Sequence, residues 1–361
     1  MAAWADYDGD GMCDLFFCGL DSENKLYRNL GGWKFEDVST KARVRGKNFA
    51  STGASFADVN GNGLLDLVSN SVGQGTWVLL NDGQGSFHAT RPLNPKGGGM
   101  SLALADVDQD GDLDLYVANY RTVTIRDQPG IKLRGHTIDG KPQVMSINGM
   151  SLEAANSVGR FTLKTNGKIL EHGQADRLYL NDGSGRFTPV SFTAGAFLDE
   201  DGQRLVKPPY DWGLSAMFRD MNRDGRPDLY VCNDFESPDR IWINQGYDQG
   251  GTVGWFSDET SSRLPSVQDQ SRDIEFADID IILGSHAHAD HMQGDALVKA
   301  LTGGRVMAMA QDVPALERMR PGDKPHPIDQ VLQDGDQVTL GGSTLVARLT
   351  PGHTKGCTTW T

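Results

Sequence analysis

Two groups of polar residues in this sequence have spacings that suit metal binding. The first group is His286-Ala-His288-Ala-Asp290-His291, and His353 follows it in a Gly-His-Thr segment. Imidazole nitrogen and carboxylate oxygen are the usual zinc ligands of catalytic sites. A chance cluster of surface histidines is a remote explanation at this spacing. The pattern therefore predicts a zinc centre that binds one or two ions.

The second group is an Asp-x-Asp/Asn-x-Asp/Asn-Gly-x-x-Asp-Leu pattern that occurs four times. Calcium prefers six to eight oxygen ligands, and alternate residues of a tight loop point towards one ion. Glycine permits the sharp bend after the third ligand, and the Asp at position 9 is expected to complete the shell. The predicted calcium ligands, one set per loop, are Asp6, Asp8, Asp10 and Asp14; Asp58, Asn60, Asn62 and Asp66; Asp106, Asp108, Asp110 and Asp114; and Asp220, Asn222, Asp224 and Asp228.

Short β-strands are predicted to position these calcium loops. Each loop runs into an apolar, β-rich stretch, and an EF-hand is excluded because that site needs a helix on each side and a Glu at position 12. A strand, an Asn-containing turn and another strand follow each loop, at Asn29, Asn81, Asn181 and Asn244. Each unit thus has about four strands, which is the size of one propeller blade.

The repeat pattern predicts where the chain divides. The third unit is longer than the others, which indicates an insertion at about 121–175. A fifth unit begins at 276–280 and stops within its loop, so the repeats are assigned to 1–280 and the zinc segment to 281–361. In that segment a strand is predicted over Ile279–Leu283, and a helix over about Asp295–Leu301. His326 fits no ligand pattern and is predicted to be a surface loop residue.

Composition excludes several functions. The formal net charge is −14, which argues against nucleic-acid binding because phosphate contacts need clustered Lys and Arg. No apolar run is long enough to span a membrane. The N-terminal residues have neither the basic nor the apolar segment of a signal peptide, so the sequence as given does not fix a location.

The loop and turn residues of 4–280 resemble the FG-GAP/VCBS repeats of integrin-like β-propellers. This resemblance implies secreted or surface blades that bind a protein or glycan partner and catalyse nothing. It also implies up to four structural Ca²⁺ ions. Asn60 and Asn62 reduce the number of carboxylates in the second loop, which is therefore expected to bind calcium most weakly.

Residues 281–361 resemble the metallo-β-lactamase superfamily, and Gly-His-Thr-x-Gly-Cys-Thr-Thr-Trp around Cys357 resembles the B3 β-lactamases in particular. The resemblance implies that the first zinc is held by His286, His288 and His353. Asp290 and His291 would hold the second zinc, and Asp290 would also orient the attacking hydroxide. A β-lactam is the implied substrate, with lactones and thioesters left open, and the implied location is periplasmic or extracellular.

The expected fold is mainly β: a partial β-propeller followed by a fragment of an αββα sandwich. Only part of that sandwich is present, because the family's preceding strands and the later ligand of the second zinc are missing. Two functions are therefore weighed: a zinc hydrolase with accessory repeats, and a non-catalytic calcium-binding repeat protein with an inert hydrolase remnant. The truncation predicts little or no activity for this chain.

Overall fold

The fold is known from a computed structural model, which describes residues 1–127, 130–138, 141–152, 159–164, 167–234, 237–246, 256–258, 280–288, 292, 295–320 and 324–361. Two compact units are present, Met1–Gln270 and Ser271–Thr361. The predicted interruption at 276–280 lies outside the described residues except for Asp280, so the boundary at 280 stays a prediction.

The first unit begins with two four-stranded antiparallel sheets, in which the strands pair in chain order. The first sheet consists of β1 (Ala2–Ala5), β2 (Asp14–Phe17), β3 (Lys25–Asn29) and β4 (Phe35–Asp37). The second sheet consists of β5 (Ser51–Ala57), β6 (Asp66–Ser71), β7 (Gly75–Asn81) and β8 (Phe87–Ala89).

An insertion interrupts the third sheet, as predicted. The sheet begins with β9 (Gly99–Ala105) and β10 (Asp114–Asn119). The chain then forms a short 3-10 helix (Ile125–Asp127) and the insertion strands β11 (Leu133–Ile138), β12 (Lys141–Ile147), β13 (Met150–Ser151), β14 (Phe161–Leu163) and β15 (Ile169–Glu171). It returns to the sheet in β16 (Arg177–Asn181), which pairs with β10, and in β17 (Phe187–Val190).

The fourth sheet has the same antiparallel order with one addition. After a π-helical turn (Phe192–Ala196) come β18 (Phe197–Leu198), β19 (Gly213–Arg219), β20 (Asp228–Asn233), β21 (Arg240–Asn244) and β22 (Phe256–Asp258). The addition is β18, which pairs with β22 in parallel at the edge of the sheet.

Successive sheets pack face to face through apolar cores. The core between the first two sheets includes Phe16, Leu67 and Phe87, and the core between the third and fourth includes Tyr116 and Trp242. The central strands β6 and β10 are buried along their whole length, because another sheet covers each of their faces. The repeats thus form four antiparallel sheets that pack on one another, whereas their assignment as propeller blades and closure into a ring stay predictions.

Among its described residues, the second unit has two short sheets and two helices. Its elements are β23 (Ile281–Leu283), α1 (Asp295–Thr302), β24 (Arg305–Met309), α2 (Val313–Leu316), β25 (Gln330–Leu332), β26 (Gln337–Leu340), β27 (Ser343–Leu349) and β28 (Thr358–Trp360). Strands β23, β24 and β25 pair in parallel, and β26, β27 and β28 pair antiparallel. No helix in the described part of the chain is long and apolar enough to cross a membrane.

The parallel sheet of the second unit is covered on both faces, which explains its apolar sequence. On one face, Met307 and Leu332 pack with Val338 of the antiparallel sheet. On the other face, Ala308 packs with Leu316 of α2. The order helix, parallel sheet, antiparallel sheet agrees with the expected fragment of a sandwich, and the mainly β fold class is confirmed.

Candidate metal centres

All four calcium-type loops have the same internal hydrogen bonds. In the first loop, the Asp6 carboxylate accepts the backbone N–H groups of Asp10 (3.0 Å) and Gly11 (2.8 Å). Asp58, Asp106 and Asp220 do the same in the other loops. The glycine after the third ligand has φ between 83° and 99° in every copy, a region that other residues rarely adopt: Gly11, Gly63, Gly111 and Gly225. The Asp-x-Asx-x-Asx-Gly sequence therefore determines one loop geometry.

The position-9 aspartates have a structural role that the sequence did not reveal. Asp14 is fully buried, and its carboxylate accepts the N–H groups of Tyr7 (3.1 Å) and Asn29 (2.8 Å). Asp66, Asp114 and Asp228 make the same pair of bonds in their own units. This residue therefore ties each loop to the hairpin of its own sheet, and its use as a calcium ligand stays a prediction.

In the second, third and fourth repeats, an asparagine side chain connects the repeat to the one before it. The Asn81 Nδ2 donates to the carbonyls of Leu65 in its own repeat and Tyr7 in the preceding repeat, both at 2.9 Å. Asn181 bonds Val59 in the same way, and Asn244 bonds Val107, each at 2.8 Å. Sequence reasoning treated these asparagines only as turn residues, although their recurrence at the end of the same strand was a signal of a second role.

The loops differ in which charged side chains lie close to their carboxylates. Oxygen atoms of Asp6, Asp8 and Asp10 lie within 4.8 Å of one another, as do those of Asp106, Asp108 and Asp114. Arg28 pairs with Asp8 (2.6 Å) and Asp10 (2.9 Å) in the first loop.

The third loop instead contains an additional acid, Asp112, at position 7. Burial, followed by repulsion from Asp110, raises the pKa of both Asp108 and Asp112. A bound cation would relieve this repulsion.

Three histidines converge in the second unit. Candidate ligand atoms of His286, His288 and His353 lie within 4.8 Å of one another. Their ring centroids are 4.5–5.0 Å apart, and the rings are nearly perpendicular. Three imidazoles that face one point form a donor set that fits a zinc ion and leaves a fourth position open. Asp290 and His291 lie outside the described residues, so the second zinc site stays a prediction.

Two loops at the ends of short strands bring these histidines together. His286 and His288 follow β23, and a backbone bond from His288 N–H to the His286 carbonyl (3.1 Å) holds the two in a tight turn. His353 precedes β28. The two loops are joined by Thr358 N–H, which donates to the Ser285 carbonyl at 2.7 Å.

His326 corrects one expectation. The sequence predicted a surface loop residue, but only 6% of His326 is exposed. Its Nε2 lies 3.2 Å from both the Met292 carbonyl and an Asp295 carboxylate oxygen. The Pro residues on either side of His326 suggested an exposed loop, whereas the ring packs at the beginning of α1.

Comparisons with known proteins give two kinds of similarity. A family model described as FG-GAP-like repeat matches residues 6–69 and 58–117. Cartilage acidic protein 1 from Mus musculus is 23% identical over 269 residues, which is 67% of this chain and 41% of that protein.

A hydroxyacylglutathione hydrolase and a metallo-β-lactamase are similar to shorter parts of the chain. Hydroxyacylglutathione hydrolase from Fuscovulum blasticum is 38% identical over 75 residues, or 21% of this chain and 26% of that enzyme. The FEZ-1 metallo-β-lactamase from Legionella gormanii is 41% identical over 22% of this chain and 35% of that chain, with a TM-score of 0.21.

Both resemblances identified in the sequence are thus confirmed. The chain is similar to FG-GAP-like repeats and, over about a fifth of its length, to hydroxyacylglutathione hydrolase, which supports a chimeric protein. It spans about a quarter of the length of the hydroxyacylglutathione hydrolase and about two fifths of cartilage acidic protein 1.

Proposed function

We propose that the second unit is the zinc-binding part of a metal-dependent hydrolase, carried by repeats that bind calcium and have no catalytic role. The observation that supports this most directly is the convergence of His286, His288 and His353 from two separate loops. Histidines on an ordinary surface have no reason to face one another, because their like charges repel when protonated.

The chemistry of the proposed site follows from its donors. A zinc ion acts as a Lewis acid and can provide hydroxide at neutral pH. The three imidazoles would bind such an ion through their unprotonated nitrogens. The Ser285 hydroxyl lies 3.0 Å from His286 Nδ1, a contact that can orient this ring. Asp290 and His291 are the proposed ligands of a second ion, and Asp290 is proposed to orient the attacking water.

The proposed reaction of the parent domain is β-lactam hydrolysis, on the basis of the residues around Cys357. Thioester hydrolysis is the second candidate, since a hydroxyacylglutathione hydrolase is among the similar proteins. For this chain we propose zinc binding, with little or no turnover as the prediction to be tested. The alternative is a non-catalytic calcium-binding repeat protein with an inert hydrolase remnant.

Zinc titration of the purified chain tests the proposal. In excess calcium, competition with a chromogenic chelator should show zinc bound with a defined stoichiometry. His288→Ala should lose this binding, whereas His88→Ala, an exposed histidine of β8, should retain it. Failure of the wild-type chain to compete would contradict the zinc site. Hydrolysis of a chromogenic cephalosporin or a thioester that disappears in His288→Ala would contradict the absence of turnover.

Thermal unfolding with calcium or with a chelator tests the proposed role of the repeats. Calcium should raise the unfolding temperature of the first unit, because a ligand that binds only the folded state stabilises it by mass action. Asp106→Asn should reduce the calcium-dependent increase, and Asp199→Asn, in a turn outside the loops, should not. Equal unfolding temperatures in both buffers would rule out structural calcium.

A further inference from the structure

Asp312 makes three hydrogen bonds that its position in the sequence does not explain. It occupies the N-cap of α2, where an aspartate normally accepts N–H groups of its own helix. Its side chain makes no such bond. The carboxylate instead accepts Ala287 N–H (2.8 Å), the Thr354 hydroxyl (2.8 Å) and Gly356 N–H (2.7 Å).

The three donors belong to the two loops that bring the histidines together. Ala287 lies between His286 and His288, and Thr354 directly follows His353. One carboxylate is therefore bonded to both loops at once. Asp312 is only 4% exposed, so water does not compete for these bonds, and bonds to a charged acceptor are about twice as strong as neutral ones.

The His353 loop lies so close to Asp312 that position 356 must be a glycine. A Cβ at Gly356 would lie 2.5 Å from Asp312 Cγ and 2.6 Å from its backbone nitrogen. Its φ is not in the left-handed region, so the glycine is required by space and not by backbone conformation. Any larger residue would push the His353 loop away from Asp312.

We propose that Asp312 is a positioning residue for the zinc site, which holds the two histidine loops at the separation where the three imidazoles converge. This inference rests on the proposed zinc binding. Asp312 is not one of the three residues whose candidate ligand atoms converge. It fixes the backbone on either side of the ligands, and its buried negative charge favours a cation nearby. Partners of this kind typically account for a 10–100-fold difference in metal affinity.

Zinc affinity, measured by chelator competition in excess calcium, tests the inference in the full chain. Asp312→Asn keeps the shape of the side chain but replaces one accepting oxygen with an NH₂ group, which cannot accept a hydrogen bond. It should therefore weaken zinc binding about 10–100-fold. Thr354→Val removes one of the three bonds and should cause a smaller loss. The control is Leu332→Ala, which removes a buried side chain from β25, on the face of the parallel sheet opposite α2, and should lower stability without weakening zinc binding.

The outcomes separate the inference from the proposed function. A wild-type chain that binds no zinc would overturn both. Zinc binding by Asp312→Asn with wild-type affinity would overturn the positioning role and leave the zinc site intact. An equal loss of affinity in Leu332→Ala would also overturn it, since general destabilisation would then be sufficient. The absorption spectrum of the Co²⁺-substituted chain should change in Asp312→Asn and not in Leu332→Ala.

Discussion

At the scale of single residues, burial determines what each aspartate does. The position-1 aspartates are partly exposed and arrange the backbone of their loops. The position-9 aspartates are fully buried and accept two N–H groups each. Asp176 belongs to neither class: it is 8% exposed and accepts Asn119 N–H (2.7 Å) and the Tyr116 hydroxyl (2.6 Å). Sequence patterns locate the first two classes, but only packing reveals the hydrogen-bonding role of the position-9 aspartates and of Asp176.

The pH dependence of stability should reveal Asp176. Burial raises its pKa to about 7, despite the opposing effect of its two hydrogen bonds. Between pH 4 and pH 7 the unfolded chain releases this proton and the folded chain retains it. The contribution of Asp176 to the free energy of unfolding should therefore fall over this range and level off above pH 7.

A non-titrating variant isolates this effect. Asp176→Asn cannot ionise; its Oδ1 can still accept Asn119 N–H, and its NH₂ group can donate to the Tyr116 oxygen. Its stability relative to wild type should therefore increase from pH 4 to pH 7. Urea unfolding at several pH values, in calcium, measures the difference. Parallel pH profiles for the two proteins would show that Asp176 does not titrate in this range.

At the scale of elements, the asparagine bonds between sheets should contribute measurably to stability. Asn81→Ala leaves the buried carbonyl of Tyr7 without its donor, which should cost about 1–3 kcal/mol. Asn29→Ala is the matched control, because among the described residues Asn29 Nδ2 bonds only Cys13 of its own unit. Chemical unfolding should show a larger loss for Asn81→Ala. Equal losses would mean that the bond between units adds nothing.

At the scale of the whole molecule, local patterns were sufficient for the elements and insufficient for the contacts between them. The four loops, their hairpins, the insertion and helix α1 were all predicted, because turn chemistry and hydrophobic periodicity are local signals. Asp312 was not predicted, because its partners lie on loops that are distant in sequence. The burial of His326 was missed for the same reason. Local signals thus identified the candidate ligands, but not the residues that hold them together.

The asparagine bonds between repeats always join a later repeat to an earlier one, and this order matters while the chain is being synthesised. Each asparagine reaches back to an earlier loop, so Tyr7 acquires its partner only when Asn81 emerges, 74 residues later. Val59 must wait for Asn181, 122 residues later, because the insertion lies between them. At about 5–20 residues per second this second interval is about 6–24 s. During synthesis, the second sheet therefore lacks its asparagine bond for longer than the first sheet does. The delay is longer because the insertion must be synthesised before Asn181.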